Sequence, residues 1–148
     1  MFEEDLIKWK QTEIEFATWL LKRWASKIEL APDRQFYDWD ILEQKWELES
    51  TYEVKDDIIS ERTGNVWFEY KCNWKASWVY ASKADFIVYK VDGKFYCVQR
   101  PKLLVRLDFI NKWKTKWWDG KSAELFIVKK EDFFSFVDRN WWVSWGNY

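Results

Sequence analysis

The stretch Thr51-Tyr52-Glu53-Val54-Lys55-Asp56-Asp57 decides how this chain is read. Its alternation has the period of two that makes a strand, and it places Glu53 and Lys55 on the same face. Just upstream, residues 35–42 (QFYDWDIL) and 44–49 (QKWELE) carry the aromatic and β-branched enrichment of short strands, so 35–55 is predicted as a meander. Asp40 ends the first of its strands, and Glu53 and Lys55 stand on the next but one. Two carboxylates and a lysine converging from neighbouring strands suit a hard divalent cation held through oxygen, with the ammonium beside an attacking water or a scissile phosphate. An exposed strand face of alternating charge gives the same spacing, so the pattern by itself leaves both readings open. Asp38 lies two residues from Asp40 on the same face and is the alternative ligand. Asp40 is favoured because the aliphatic pair Ile41-Leu42 follows it as a core strand would.

Working outward, residues 3–29 show helical periodicity, with Leu6, Ile7, Ile14, Ala17, Leu20, Leu21, Trp24 and Ile28 on one face. Glu13 falls inside that face, and an inward carboxylate needs a partner, a cation or a raised pKa. A marginal glutamate reaching Lys10 or Arg34 would satisfy the same pattern. Pro32 and Asp33 mark the break before the meander. Beyond it, the stretch DDIISERTGN reads as a short irregular or helical excursion closing at Gly64, and 65–71 as a strand. Residues 85–98 form a hairpin about Asp92-Gly93, the strongest turn signal in the chain. Pro101 opens a helix over 101–114. A strand over 123–129 and a helix from Glu131-Asp132 complete an α/β order: a central sheet flanked by helices.

Composition narrows the chemistry. A length of 148 residues suits one domain spanning 1–148, and 48% hydrophobic residues with only 4 Gly and 2 Pro exclude a disordered or linker-rich chain. The chain has no His, which removes Ser-His-Asp and Cys-His nucleophiles and every His-containing zinc site. Cys72 and Cys97 form no CxxC and read as reduced thiols. With 24 basic and 25 acidic residues the net charge is -1, so any polyanion site is a local patch. No apolar run approaches a membrane span, and the acidic start MFEEDLIKWKQ lacks a signal peptide's basic region. A soluble, cytoplasmic protein with no membrane partner is the expectation.

At Glu13, Asp40, Glu53 and Lys55 the chain resembles the PD-(D/E)xK nuclease superfamily. That resemblance implies a restriction-endonuclease-like core, a mixed central β-sheet with flanking helices. Small phage-type and other virus-encoded members are a closer likeness, through EVKDD (53–57), RTGNVWFEY (62–70), WKASWV (74–79), SKADF (82–86) and WWDGKSAELFIV (117–128). Two departures stand out. Trp39 occupies the place of the proline before the aspartate, and Lys75-Ala76-Ser77-Trp78 lacks the glycine of the family's lysine-proline-serine-glycine turn.

The resemblance implies a Mg²⁺- or Mn²⁺-dependent DNA endonuclease, working in the host cytoplasm if viral. Asp40, Glu53 and the Val54 carbonyl would hold the metal, Lys55 would position and help deprotonate water, and Glu13 would orient it. Asp38 and Glu69 are further candidate carboxylates about the site. Lys71, Lys75 and Lys83, with Lys116 and Lys121 beside Trp117-Trp118, suit a surface that tracks phosphates and stacks bases. Solvated charged faces are their other reading, and an ion pair or helix cap is the other reading for Lys83 and Asp85. A fold kept as a silent nucleic-acid-binding accessory is the alternative function.

Aromatics reach 22% of the chain, including 14 Trp. The late run Asn140-Trp141-Trp142-Val143-Ser144-Trp145 needs cover, from the domain's own sheet, from substrate bases or from a second copy in a homodimer.

Overall fold

Helix α1 (Phe2–Lys22) ends earlier than its periodicity predicts. Trp24 takes a left-handed backbone, φ 71°, while the Ala25 amide donates to the Leu20 carbonyl and the Trp24 amide to that of Leu21. This is a Schellman stop, with tryptophan where glycine usually stands, so no glycine or proline announces it. Residues predicted to prolong the helix instead form strand β1 (Lys27–Leu30). The computed structural model that shows this describes residues 2–32, 38–57, 60–72, 75–76, 78–110, 113–118 and 121–144.

The meander is corrected in the same way. Among the described residues two strands, β2 (Ile41–Lys45) and β3 (Leu48–Asp56), stand where three were expected, joined through Trp46-Glu47 with Trp46 at φ 55°; residues 35–37 of the first expected strand lie outside the described residues. Asp40 therefore precedes β2 rather than ending a strand, and Glu53 lies on the strand paired directly with β2. A two-residue hairpin loop favours glycine or asparagine in such a backbone, and tryptophan there disguised the turn.

A short helix α2 (Ser60–Thr63), strand β4 (Asn65–Cys72), the brief β5 (Lys75–Ala76) and the one-turn α3 (Trp78–Ala81) follow. Strands β6 (Phe86–Val91) and β7 (Lys94–Gln99) form the predicted hairpin, with Asp92 at φ 52° and Gly93 at φ 75°. Helix α4 (Arg100–Ile110) is shorter than predicted. Residues 113–114, expected to end that helix, instead begin β8 (Trp113–Trp118), which pairs antiparallel with β9 (Lys121–Lys129). Helix α5 (Lys130–Phe136) and strand β10 (Asp138–Ser144) close the order.

Among the described residues two sheets form, one ordered β1-β2-β3-β6-β7-β10 and the other β5-β4-β9-β8. The larger is mixed, because β3 and β6 run parallel, Tyr52 beside Phe86 and Lys55 beside Tyr89, while its other pairs are antiparallel. One of its faces packs on α1, where Phe16, Trp19 and Leu20 meet Tyr52, Val54, Val88, Phe95 and Cys97. On the other, Ile87, Tyr89 and Val91 pack with α4, α5 and the smaller sheet through Leu103, Leu107, Phe133, Val66, Phe68 and Val128. Each such ring or aliphatic side chain contributes about 1.5–3 kcal/mol by leaving water.

The buried face of α1 is turned from the expected one. Thr12, Phe16, Trp19 and Leu20 are buried, whereas Ile7, Ile14 and Leu21 are 67%, 49% and 52% exposed. The rings of Phe16 and Trp19 stack together and carry Tyr52 and Phe95 with them, and that aromatic packing sets the rotation. Polar pairs lock it: the Thr12 hydroxyl lies 3.0 Å from Asp56 Oδ2, and Lys90 Nζ donates to Glu15 Oε2 at 2.7 Å.

The C-terminal run enters this fold through its backbone. β10 pairs with β7, Val143 beside Phe95 and Ser144 beside Lys94, with a register shift after Asp138. Trp145 and the side chains of the run lie outside the described residues. Truncation after Arg139 is accordingly expected to lower the melting temperature by about 5 °C or more at unchanged mass. A mass halved in sedimentation would instead place the strand between two copies.

Candidate active site

Asp40 is pinned at the mouth of the β2–β3 pair. Its amide donates to the Tyr52 carbonyl at 2.9 Å, its carbonyl accepts from the Ala31 amide at 2.8 Å, and its Oδ2 accepts from the Val54 amide at 2.8 Å. The β2–β3 register ends at Ile41 and Tyr52, so Val54 extends beyond it and offers its backbone to Asp40 instead. In an antiparallel ladder alternate residues turn both N–H and C=O to the same edge. The Val54 carbonyl thus shares the edge to which its amide holds Asp40.

One residue earlier, Glu53 points to the opposite face of β3 and is nearly enclosed, at 9% exposure. Its Oε1 lies 3.3 Å from Lys55 Nζ, two residues on along the same face, as the alternation requires. Oε2 accepts from the Ser82 hydroxyl at 3.3 Å. Burial raises the Glu53 pKa, Lys55 opposes the rise, and the charge of Asp40 adds to it.

Glu13 approaches from α1. Its Oε2 lies 3.4 Å from Lys10 Nζ, which also donates to the Ala31 carbonyl at 3.3 Å. Burial pushes the Glu13 carboxyl up to about 7; the negative charge of Asp40 pushes the same way, and Lys10 and Lys55 pull against both. Lys10 is thus the partner allowed for by the sequence, while Arg34 lies outside the described residues. Glu13, Asp40, Glu53 and Lys55 are therefore brought into one electrostatic group by α1, the approach to β2, and β3.

The other candidates are placed differently. Asp38 is exposed, and its carboxylate is turned toward Lys83, 3.9 Å away. Lys83 is itself exposed. Asp85 accepts from both the amide and the hydroxyl of Thr51 and so ties β6 to β3. Glu69 sits on β4 beside a register shift in the β4–β9 ladder; burial first, and then the charges of Asp57, Glu53 and Glu69, disfavour ionisation of the Tyr89 hydroxyl. Lys71, Lys75, Lys116 and Lys121 stand on β4, β5, β8 and β9, and their side chains lie outside the described residues. Ser82 is a site residue that periodicity does not reveal; its only signal is its place at the head of SKADF.

The donor set suits a hard cation. Among the described residues no three acidic or thiol side chains converge closely enough to hold an ion alone. Asp40, Glu53 and the Val54 carbonyl offer oxygen alone, the ligand type that magnesium takes. The charge of Asp40 also raises the cost of ionising Glu13 and Glu53, a cost that a cation among them would relieve.

Neither a protein-family model nor a curated protein sequence matches the chain. Among solved structures the bacterial homing endonuclease I-Ssp6803I is similar over 88% of this chain and 86% of its own, with a TM-score of 0.56 and 15% identity. At that identity the likeness is one of fold: a mixed α/β architecture with a mixed central sheet flanked by helices.

Proposed function

We propose that the protein is a PD-(D/E)xK-type DNA endonuclease that hydrolyses phosphodiester bonds with Mg²⁺ or Mn²⁺. The observation that carries this is the grouping of Glu13 from α1, Asp40 from the approach to β2, and Glu53 and Lys55 from β3, with Asp40 bonded to the backbone of the residue between Glu53 and Lys55. A fold shared with a homing endonuclease supports it.

In this reading Asp40, Glu53 and the Val54 carbonyl hold the cation, which supplies Lewis-acid stabilisation of the charge that develops on the phosphoryl and leaving oxygens. Lys55 positions the attacking water and helps deprotonate it, held in place by Glu53 Oε1. Glu13 orients that water, and a carboxyl near 7 exchanges protons readily at neutral pH. The exposed ammonium of Lys83, with Lys71, Lys75, Lys116 and Lys121, would meet backbone phosphates.

Plasmid and single-stranded DNA incubated with Mg²⁺, with Mn²⁺ and with EDTA test the function directly. Metal-dependent cleavage is the expected result. Binding without cleavage under every condition would favour the silent accessory. The metal reading has its own check, since Asp40→Asn and Glu53→Gln each exchange an ionic ligand for a neutral amide. Calorimetry should show Mn²⁺ affinity lowered about tenfold or more in each, ~1.4 kcal/mol. Unchanged affinity in both would move the site toward Asp38 and Glu69.

A further inference from the structure

We propose that Ser82 is a positioning residue for Glu53, fixing its carboxylate through the hydrogen bond from its hydroxyl to Oε2. The inference rests on the nuclease reading and adds a residue to it. Ser82 follows α3 and is buried at 6% exposure. Its hydroxyl lies 3.3 Å from Glu53 Oε2 and 3.3 Å from the Asp38 carbonyl, and its oxygen accepts from the Ala84 amide at 3.1 Å.

A hydroxyl has one proton to give. With the Ala84 amide occupying the oxygen as acceptor, that proton goes to Glu53 or to the Asp38 carbonyl, and an ionised carboxylate is the stronger acceptor. Both Glu53 oxygens are then engaged, Oε1 toward Lys55 and Oε2 toward Ser82. Opposed partners fix the plane of the carboxylate, the property a ligating group must have before its ion arrives. At 3.3 Å the Ser82 bond is long for O–H···O, as such bonds often are before a site is loaded.

The rest of the segment is tied to its neighbours by contacts that do not involve Glu53. The Lys83 amide donates to the Asp38 carbonyl at 3.0 Å, which ties the segment to the approach to Asp40. Asp85 is bonded to Thr51 three times over: its Oδ2 accepts from the amide at 2.9 Å and lies 3.1 Å from the hydroxyl, and its own amide donates to that hydroxyl at 3.0 Å. The two strands so tied, β3 and β6, are the parallel pair, whose connection is long and leaves their relative placement to such contacts.

Two variants separate positioning from general support. Ser82→Ala removes the bond to Glu53 and leaves the Asp85–Thr51 tie. Thr51→Val weakens that tie without touching Glu53. Mn²⁺ binding by calorimetry, cleavage against Mn²⁺ concentration, and melting temperature are measured for both. The expected result is that Ser82→Ala lowers Mn²⁺ affinity about tenfold, in line with losing a hydrogen bond to a charged group, with the apparent KM for DNA unchanged. Ser82→Thr, which keeps the hydroxyl, should recover part of that loss, and Thr51→Val should lower the melting temperature alone. Equal Mn²⁺ affinity in wild type and Ser82→Ala, or an equal fall in Thr51→Val, would overturn the positioning role while leaving the nuclease standing. A wild type that neither binds Mn²⁺ nor cleaves would overturn both readings.

Discussion

Lys55→Ala is expected to lower cleavage by about a thousandfold or more, ~4 kcal/mol of transition-state stabilisation, while the chain still folds. Two losses add. The water loses the ammonium that positions it, and Glu53 loses the cation 3.3 Å from Oε1 that opposes the rise caused by its burial. Glu53 is then protonated more readily and is a poorer metal ligand. Folding is affected little, because Lys55 is more than a third exposed and an ion pair in that setting contributes about 1 kcal/mol or less. Single-turnover cleavage at saturating metal is the measurement. Activity within about tenfold of wild type would remove Lys55 from the mechanism.

The second large effect is on stability, and its sign is the reverse of most substitutions. The Glu13 carboxyl has its folded pKa raised from 4.5 to about 7, so the folded state binds more protons than the unfolded chain between those values. Protonated Glu13 is the form the fold favours. Its contribution is whole below about pH 4.5, is lost as pH rises to about 7, and leaves the metal-free protein carrying a full charge at a poor site above that. Glu13→Gln keeps the shape and removes the charge. In EDTA at pH 8 it should be more stable than wild type by ~1–3 kcal/mol, a few degrees or more in melting temperature, with the gap closing toward pH 4. Cleavage by the same variant should fall. Melting curves that coincide from pH 4 to 9 would show that Glu13 is not held in this environment.

The grouping of the candidate residues is more legible in the sequence than the frame that holds them. Glu53 and Lys55 share a strand face whatever the partners of that strand, because alternation is local. The Asp92-Gly93 hairpin was equally plain, since those residues are the ones its backbone demands. What stayed hidden was punctuation written in tryptophan. Trp24 and Trp46 both adopt left-handed backbone at turns where glycine or asparagine is the usual sign, so α1 read too long and one hairpin read as three strands. The rotation of α1 was also illegible, because a helix with Ile7, Ile14 and Leu21 on one side and Phe16 and Trp19 on another offers two apolar faces. Tyr52 and Phe95, distant in sequence, choose between them. Ser82 was invisible for a related reason: a buried serine has no periodicity, and its role lies in its partners.

The parallel pairing of β3 with β6 also bears on when the site can exist. Tyr52 meets Phe86 and Glu53 meets Ile87 only after the whole intervening chain has been made and its loop closed, an entropic cost met before any contact repays it. Glu13, Asp40, Glu53 and Ser82 come from four stretches that no local fragment contains. An emerging chain that has released only α1, β2 and β3 from the ribosome carries the Val54 partner of Asp40 and the Lys10 partner of Glu13, but lacks the Ser82 partner of Glu53 and the β6 neighbour of β3. The surroundings of Glu53 are therefore completed only when Ser82 and the strand beyond it have followed, so the grouping of these residues is a late event in the making of the chain.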